Sequence, residues 1–346
     1  MKQMIHYFKE NKVGSWILLT VLAILIVLPL LPRQIISNYT IHILVVIMLY
    51  AYWGSAWNLL GGFAGQLSQG HAAYVGIGAY VAVLLYNDNG ISPWIGMFIA
   101  GLIAGLFSLL IGYPCFKLRG SYYTLSTVAL LYVLRILFSN NQSILGYKIN
   151  AAIGLKISWN GENFWGMQFR SKAPYYYIIL GLLVMCFLLC VYIRHAKTGY
   201  YLAAIRTNQD AASSLGVNVH GYKLRIGFVS ALLTAMGGAF YAFFLCMADP
   251  PTMFNYDVSV RIMLLAVIGG RGTLLGPLLG AFILTPISEV FRAQFGSRIS
   301  GLSFVIYGVI TMLIVLFLPK GLVGLPDIIH DKIAHSKKSR KTEVRL

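Results

Sequence analysis

The sequence predicts an all-α integral membrane protein with about ten transmembrane helices, some short or broken at glycine, and a cytoplasmic helix between two spans. Of its 346 residues, 58% are hydrophobic and 11% are charged, and the mean hydropathy is +0.74. A water-soluble domain does not tolerate this balance, so the bilayer is the expected solvent. Residues 34–87 contain no Lys, Arg, Asp or Glu. That stretch is too long for one crossing, which needs about 20 residues.

Ten apolar segments are candidate spans. In chain order they cover residues 14–32, 39–60, 72–86, 93–116, 120–138, 173–193, 226–248, 258–268, 274–291 and 300–319. The first has a basic start and an apolar core, as a signal peptide has. Pro29, Leu30, Leu31 and Pro32 stand where a small-residue cleavage site belongs. We therefore expect a retained first helix.

Two of these spans, residues 72–86 and 258–268, are shorter than a bilayer crossing. Residues 61–70 form a Gly-rich segment before the first, and residues 269–277 form another after the second. Both segments begin with a Gly pair, which makes a weak internal repeat. Gly-broken helices in corresponding positions often line a transport path, because irregular backbone at this depth needs protein or water around it. We favour path lining for the paired segments and close helix packing for each glycine taken singly.

The distribution of charge predicts the orientation of the chain. Most of the 27 Lys and Arg residues fall on one side when the N-terminus is placed inside. By the positive-inside rule this side, with both termini, is cytoplasmic. The basic loop at residues 139–172 then lies outside, which is acceptable because long loops translocate regardless of charge. The net charge of +17 therefore reports orientation, and we expect no nucleic-acid partner.

Residues 1–325 are predicted to form one transmembrane domain, followed by a basic cytoplasmic tail at residues 326–346. The tail either contacts anionic lipid headgroups or is a solvated, disordered segment. The sequence leaves both possibilities open.

A polar stretch, residues 194–225, interrupts the apolar pattern, and we call it the polar loop. Thr207 with Asp210 predicts a capping box at the start of a two-turn helix, and Gly216 suits the left-handed position that ends one. One face of this helix carries small or apolar side chains that fit a groove on another protein. These are Ala211, Ala212 and Leu215.

The sequence lacks the motifs of several common nucleotide-binding, hydrolytic and metal-binding sites. The chain contains no Gly-x-x-x-x-Gly-Lys-Ser/Thr phosphate loop, no Gly-x-Ser-x-Gly and no His-Glu-x-x-His sequence. Its four cysteines lie in or beside apolar spans without a neighbouring His or acidic residue to complete a metal site. We predict no cofactor, no metal and no enzymatic activity of the chain itself.

Ionisable residues within the spans are few: Arg135, Arg261, Glu289 and Arg292. Any of the arginines could pair with Glu289, and the sequence leaves the choice open. A proton- or sodium-coupled carrier usually keeps an acidic residue near mid-membrane, and Glu289 is the one candidate. We therefore expect the energy for transport to come from another protein.

Two sets of motifs resemble known permeases. Residues 210–226 are similar to the coupling loop of ATP-binding-cassette (ABC) importers, in which Glu-Ala-Ala is followed by Gly and Ile at fixed spacing. Asp210 stands for the Glu, and Phe228-Val229 replaces the Leu-Pro that ends the motif. Five blocks resemble the branched-chain amino acid permease family. They are residues 65–72, 76–80, 117–120, 204–208 and 269–277.

The resemblance implies a permease subunit of an ABC importer in the bacterial inner membrane, with a cytoplasmic coupling helix. Its implied partners are two ATPase subunits, a second similar permease subunit and an extracytoplasmic solute-binding protein. Leucine, isoleucine and valine are the usual cargo of this family, and urea or short-amide importers with similar permeases are an alternative. Outside this class, a self-sufficient secondary transporter or channel and an integral-membrane enzyme are the rival hypotheses.

The resemblance also implies site residues. The ATPase-coupling residues are Arg206, Asn208, Asp210, Ala211, Ala212 and Gly216. The Gly-rich segments and the need of a zwitterionic cargo for a wetted path, and not the resemblance, predict the lining of the translocation path. Its candidates are Gln66, Ser68, Gln69, His71, Gly269 and Gly270. For His71 the ordinary alternative is a hydrogen-bonded structural group at a helix start.

Overall fold

The computed structural model describes residues 20, 23–30, 37–144, 146–159, 161–295, 308–309, 312, 316 and 321–324. Residues 23–30 are helical, and eleven further α-helices follow within the described ranges. They are α1 Asn38–Asn58, α2 His71–Asn89, α3 Pro93–Cys115, α4 Ser121–Asn140, α5 Ala173–His195, α6 Lys197–Thr207, α7 Gln209–Ser214, α8 Val219–Leu245, α9 Pro250–Met253, α10 Tyr256–Gly270 and α11 Gly276–Phe295. The described residues also include a π-helical turn at Leu59–Phe63 and short 3-10 helices at Ala151–Ile153 and Leu322–Gly324. Four two-residue strands are present as well: β1 Ser143–Ile144, β2 Tyr147–Lys148, β3 Leu155–Lys156 and β4 Met247–Ala248.

Within these residues, six helical segments are long and apolar enough to cross a membrane. They are Asn38–Phe63, Pro93–Cys115, Ser121–Asn140, Ala173–His195, Val219–Leu245 and Pro250–Gly270. The helical, membrane-spanning class is confirmed, whereas the number of about ten spans is not. The predicted spans at residues 14–32 and 300–319 fall largely outside the described residues, as does the tail at residues 326–346.

The two spans expected to be short are longer than hydropathy indicated. Helix α2 has 19 residues and runs through three polar residues to Gly90, which closes it at φ 64°. Helix α10 begins at Tyr256, where the side chain of Asn255 caps it by accepting a hydrogen bond from the Asp257 N–H. Each helix is four residues longer than its apolar run because it continues through polar or glycine residues at its ends. At 15 residues, α10 is still shorter than a bilayer crossing of about 20 residues.

Helix α1 lies at the centre of the bundle and packs against α5, α8, α10 and α11. Two of its large aromatic side chains, Tyr52 and Trp53, are almost fully buried and bind the backbone of α8. Tyr52 donates its hydroxyl hydrogen to the Leu233 carbonyl at 2.7 Å, and the Trp53 indole donates to the Thr234 carbonyl at 3.1 Å. These bonds fix the rotation of α1 against α8.

Glycines allow α8 to approach its neighbours closely. A Cβ atom at Gly78 of α2 would collide with the Ala235 backbone, and one at Gly238 would collide with the Val75 backbone. A Cβ at Gly105 of α3 would lie 2.7 Å from the Phe228 ring. Small residues let membrane helices pack backbone to backbone, so the packing role predicted for single glycines is confirmed here.

The bundle has two ends, which are separated by the length of α5, about 35 Å. The strands lie at one end, which we call the hairpin end. There β1 pairs with β2, and β3 pairs with β4, which lies just before α9. The polar loop lies at the other, which we call the loop end. Residues 139–172 are therefore partly paired to the body and do not form a free loop.

Replacing Gly78 with valine is expected to destabilise the protein, because the added side chain must push α2 away from α8. Overpacking of this kind costs about 1–3 kcal/mol. The thermal unfolding midpoint of the purified protein in detergent should fall. Gly181→Val is the matched control, since Gly181 lies in α5 with no atom within 4 Å of the added Cβ. Equal midpoints for the two variants would contradict this packing.

Candidate functional site

The polar loop contains the predicted capped helix, but another residue caps its start. The Asn208 side chain accepts hydrogen bonds from the Asp210 and Ala211 N–H groups at 3.0 and 3.1 Å. Thr207, expected in a capping box, instead donates its hydroxyl hydrogen to the Ala203 carbonyl and so belongs to α6. That capping box was therefore wrong by one residue, and α7 is a six-residue helix that begins directly after Asn208.

Gly216 ends α7 as predicted. Its φ is 83°, a left-handed conformation that favours glycine. The Gly216 N–H donates to the Ser213 carbonyl at 2.9 Å, and the Val217 N–H donates to the Ala212 carbonyl at 3.1 Å. These bonds satisfy carbonyls that the helix end would otherwise leave open.

Two side chains from the transmembrane body bind α7. Arg119, between α3 and α4, forms two hydrogen bonds with the Asp210 carboxylate at 2.8 and 2.9 Å. Lys223 of α8 donates to the Gln209 side-chain oxygen at 2.8 Å, although Lys223 itself is only 2% exposed. The exposed Arg119–Asp210 pair contributes little energy, but its paired geometry fixes the direction of the helix. Sequence reasoning missed both anchors.

The outer face of α7 differs from the predicted one. Ala212 is 3% exposed and packs against its own chain, so it cannot enter a groove on another protein. Ala211 is exposed, and Leu215 is 85% exposed. Residues four apart share a helix face, whereas adjacent residues point about 100° apart. Ala211 and Leu215 are therefore the apolar part of an exposed surface that also includes Asp210, Ser213 and Ser214. Ala212, expected on this face, is not part of it.

The two Gly-rich segments meet at the loop end through Asn58, the last residue of α1. Its amide nitrogen donates to the Thr273 carbonyl at 2.7 Å, and its amide oxygen accepts from the Gly272 N–H at 2.9 Å. A Cβ at Gly62 would collide with Asn58 and lie 2.8 Å from the Gly272 nitrogen. The glycines therefore allow direct backbone contact between the segments. The sequence signal for this contact was Asn58, a polar residue three positions before the Gly pair.

Two arginines also bind the first Gly-rich segment. Arg206 of α6 donates to the Gly62 carbonyl at 3.2 Å. Arg271, from the second segment, donates to the Gly61 carbonyl at 3.0 Å and to the Gly65 carbonyl at 3.3 Å. Burial and the nearby Arg206 charge lower the pKa of Arg271. The predicted coupling residue Arg206 therefore points inward and joins the polar loop to the predicted path segment.

The predicted path residues Ser68 and His71 lie inside the chain. The two ring nitrogens of His71 are each 3.0 Å from a serine hydroxyl, one from Ser68 and the other from Ser230 of α8. The Ser68 carbonyl accepts from the Trp57 indole at 2.7 Å. This network holds the first Gly-rich segment between α1 and α8, and it gives His71 a positioning role in this conformation.

The other predicted path residues lie at different depths. Gln66 is 4% exposed. Gln69 is half-buried beside α4. Its side-chain oxygen accepts a hydrogen bond from the Tyr256 hydroxyl at 3.0 Å, and its backbone N–H donates to the Thr127 hydroxyl. Gln69 therefore contacts α4 at Thr127, on the buried face of that helix. Gly269 and Gly270 are buried at the end of α10.

The structure identifies the partner of Glu289. Arg261 of α10 lies 3.9 Å from Glu289 of α11, and both side chains are largely buried. The pair joins two neighbouring helices within the apolar bundle, so Glu289 does not stand alone there. The side chain of Arg292, one of the other candidate partners, lies outside the described residues.

The chain is similar to known permeases over most of its length. The family described as "Branched-chain amino acid transport system / permease component" matches residues 39–318. The high-affinity branched-chain amino acid transport system permease protein LivM of Escherichia coli (strain K12) is 27% identical, over 88% of this chain and 74% of that protein. LivM of Salmonella typhimurium is 26% identical, over 89% and 75%.

A more distant relative carries another substrate in its name. The nucleoside ABC transporter permease protein NupC of Lactococcus lactis subsp. cremoris is 24% identical, over 76% of this chain and 86% of that protein. No solved structure shows a significant match to the chain. Because the family matches residues 39–318, the chain belongs to the branched-chain amino acid transport system permease components.

Proposed function

We propose that this chain carries leucine, isoleucine and valine across the bacterial inner membrane as one permease subunit of an ATP-driven importer. Separate ATPase subunits supply the energy, a second permease completes the path, and an extracytoplasmic protein delivers the cargo. The observation that carries the proposal is the form of the polar loop. Helix α7 is fixed to the body on its inner side, exposes Ala211 and Leu215 outward, and lies next to Arg206, which contacts the first Gly-rich segment.

The outward face of α7 is the proposed ATPase contact. Leu215 is a large apolar side chain that is 85% exposed on a polar loop, and it would lose contact with water in a groove of an ATPase subunit. The caps at Asn208 and Gly216 make α7 a short rigid unit. When ATP closes the ATPase subunits, the groove moves α7, and the motion passes into α5 and α8 on either side of the polar loop.

The proposed path runs along α4, between this chain and its permease partner. Helix α4 is the least buried of the six spans. This helix carries Thr124, and Gln69 and Tyr256 lie beside it; a lipid-facing surface would not carry such polar groups. A zwitterionic amino acid needs a wetted path, because burying charges without partners is costly. Alternating access then widens this path toward one side of the membrane at a time.

The cargo assignment follows the similarity to the LivM proteins. Urea or a short amide is the alternative cargo from the motifs, and the relationship to a nucleoside permease adds another. A self-sufficient channel or secondary transporter is the alternative outside the class. These alternatives differ in whether transport needs ATP and in which solute competes.

The complete importer in proteoliposomes is expected to take up radiolabelled leucine only when ATP is hydrolysed, because the chain has no coupling-ion site of its own by sequence. Unlabelled isoleucine and valine should compete with leucine, and urea should not. The control is the chain alone in the same vesicles. Leucine accumulation by the lone chain would refute ATP-driven transport, and competition by urea would refute the cargo.

Leu215→Asp is expected to weaken the ATPase contact at least about tenfold, since loss of an apolar anchor at an interface costs on the order of 2 kcal/mol. The measurement is the amount of ATPase subunit retained by affinity-tagged permease. Ser213→Asp is the matched control, because two residues of helix rotation place Ser213 about 200° from Leu215. If both variants retain the ATPase equally, α7 is not the contact.

A further inference from the structure

The end of α1 leaves backbone carbonyls that need donors. Residues Leu59–Phe63 form a π-helical turn, and the following segment has no regular structure until α2 begins. The last carbonyls of a helix have no partner within it and carry its partial negative charge. Here they lie within the protein, where an unpaired carbonyl is costly. Short π-helical turns within helices occur frequently at functional sites.

Three of these carbonyls are bound by arginines from two other parts of the chain. Arg206, from the polar loop, binds the carbonyl of Gly62 through one nitrogen. Arg271, from the second Gly-rich segment, binds those of Gly61 and Gly65 through two nitrogens. We call these contacts the arginine bridge. It connects the polar loop, the second Gly-rich segment and the broken end of α1.

The glycines around the bridge leave space for it. A Cβ at Gly272 would collide with the Arg206 guanidinium, and one at Gly65 would lie 3.0 Å from the Arg206 side chain. Both residues also have left-handed backbones, with φ of 75° and 77°. The Arg206 side chain, although partly exposed, therefore lies in close contact with both Gly-rich segments.

We propose that Arg271 is a positioning residue for transport and acts with Arg206 through the arginine bridge to transmit movement of the polar loop to the first Gly-rich segment. This inference rests on the proposed function. Arg206 stands two residues before Asn208, the cap of α7, so displacement of α7 pulls directly on the Gly62 carbonyl. Residues 66–71 follow the bound carbonyls and would shift with them, including Gln69 at the proposed path.

Simple capping of α1 would explain the contacts without any role in coupling, so the two roles need variants that separate them. The two arginines differ in how many carbonyls each one binds. Arg271 binds two carbonyls with the planar fork of its guanidinium, which a lysine ammonium does not reproduce. Arg206 binds one carbonyl, and a lysine can form a single bond of this kind. The two guanidiniums also repel each other, so the bridge depends on its carbonyl acceptors and can open when α6 moves.

The test compares leucine uptake with ATP hydrolysis in the complete importer in proteoliposomes. Arg271→Ala and Arg271→Lys should both lower the leucine taken up per ATP hydrolysed at least about fivefold, whereas Arg206→Lys should keep more than half. ATPase retention by tagged permease should stay at the wild-type level in all three. The control is Arg170→Ala at the hairpin end, where the described contact of Arg170 uses its backbone N–H.

Two results would overturn the inference. One is an unchanged ratio of uptake to hydrolysis in Arg271→Ala. The other is a parallel loss of uptake, hydrolysis and ATPase retention, which would show that Arg271 only maintains the fold. A wrong cargo assignment can be distinguished from a failure of the arginine bridge, because a second measurement does not depend on the transported solute. The reactivity of Leu67→Cys toward a maleimide should change when ATP is added, and this change should disappear in the Arg271→Ala background.

Discussion

The backbone hydrogen bonds at the break between α1 and α2 are the constraint on which the rest of the structure depends. A break at this position exposes carbonyls that lipid cannot satisfy, so protein donors must replace the missing helical ones. Arg206 and Arg271 satisfy this need at the loop end. Ser68 and His71 continue the network toward α8. Because these donors come from distant parts of the chain, satisfying the break also connects the polar loop to the centre of the bundle.

In the proposed mechanism, this arrangement lets partner subunits supply the energy for transport. The mobile part of the proposed mechanism is an exposed loop with a rigid helix, and the part that responds is a Gly-rich segment with irregular backbone. Glycines at residues 62, 65 and 272 permit contacts that any side chain would block. Arg261 and Glu289 are paired across α10 and α11, which contributes to the packing of these two helices.

Local features were the most predictable from sequence. Gly216 closes α7 because a left-handed cap depends on one residue and its neighbours. The start of α7 was misplaced because Thr207 and Asn208 are both capping residues, and only the backbone shows which of them is outside the helix. The lengths of α2 and α10 were underestimated, because both helices continue through polar or glycine residues beyond the ends of their apolar runs.

Contacts between distant residues could not be predicted. Arg206 and Gly62 are 144 residues apart, and Arg271 and Gly61 are 210 apart. An arginine beside a Gly-rich segment indicates an interaction, but it does not name the acceptor. Ala212 shows the same limit, because the sequence placed it on a small-residue face but could not tell which side the body covers.

The most direct test of this account is a pair of distance measurements by spin labelling in the assembled importer, with and without ATP. One pair joins Ser213 of α7 to Leu67 of the first Gly-rich segment, and the other joins Leu67 to Val133 of α4. If the arginine bridge moves the segment with the loop, the first distance stays constant while the second changes on ATP binding. A change in the first distance with none in the second would contradict the account.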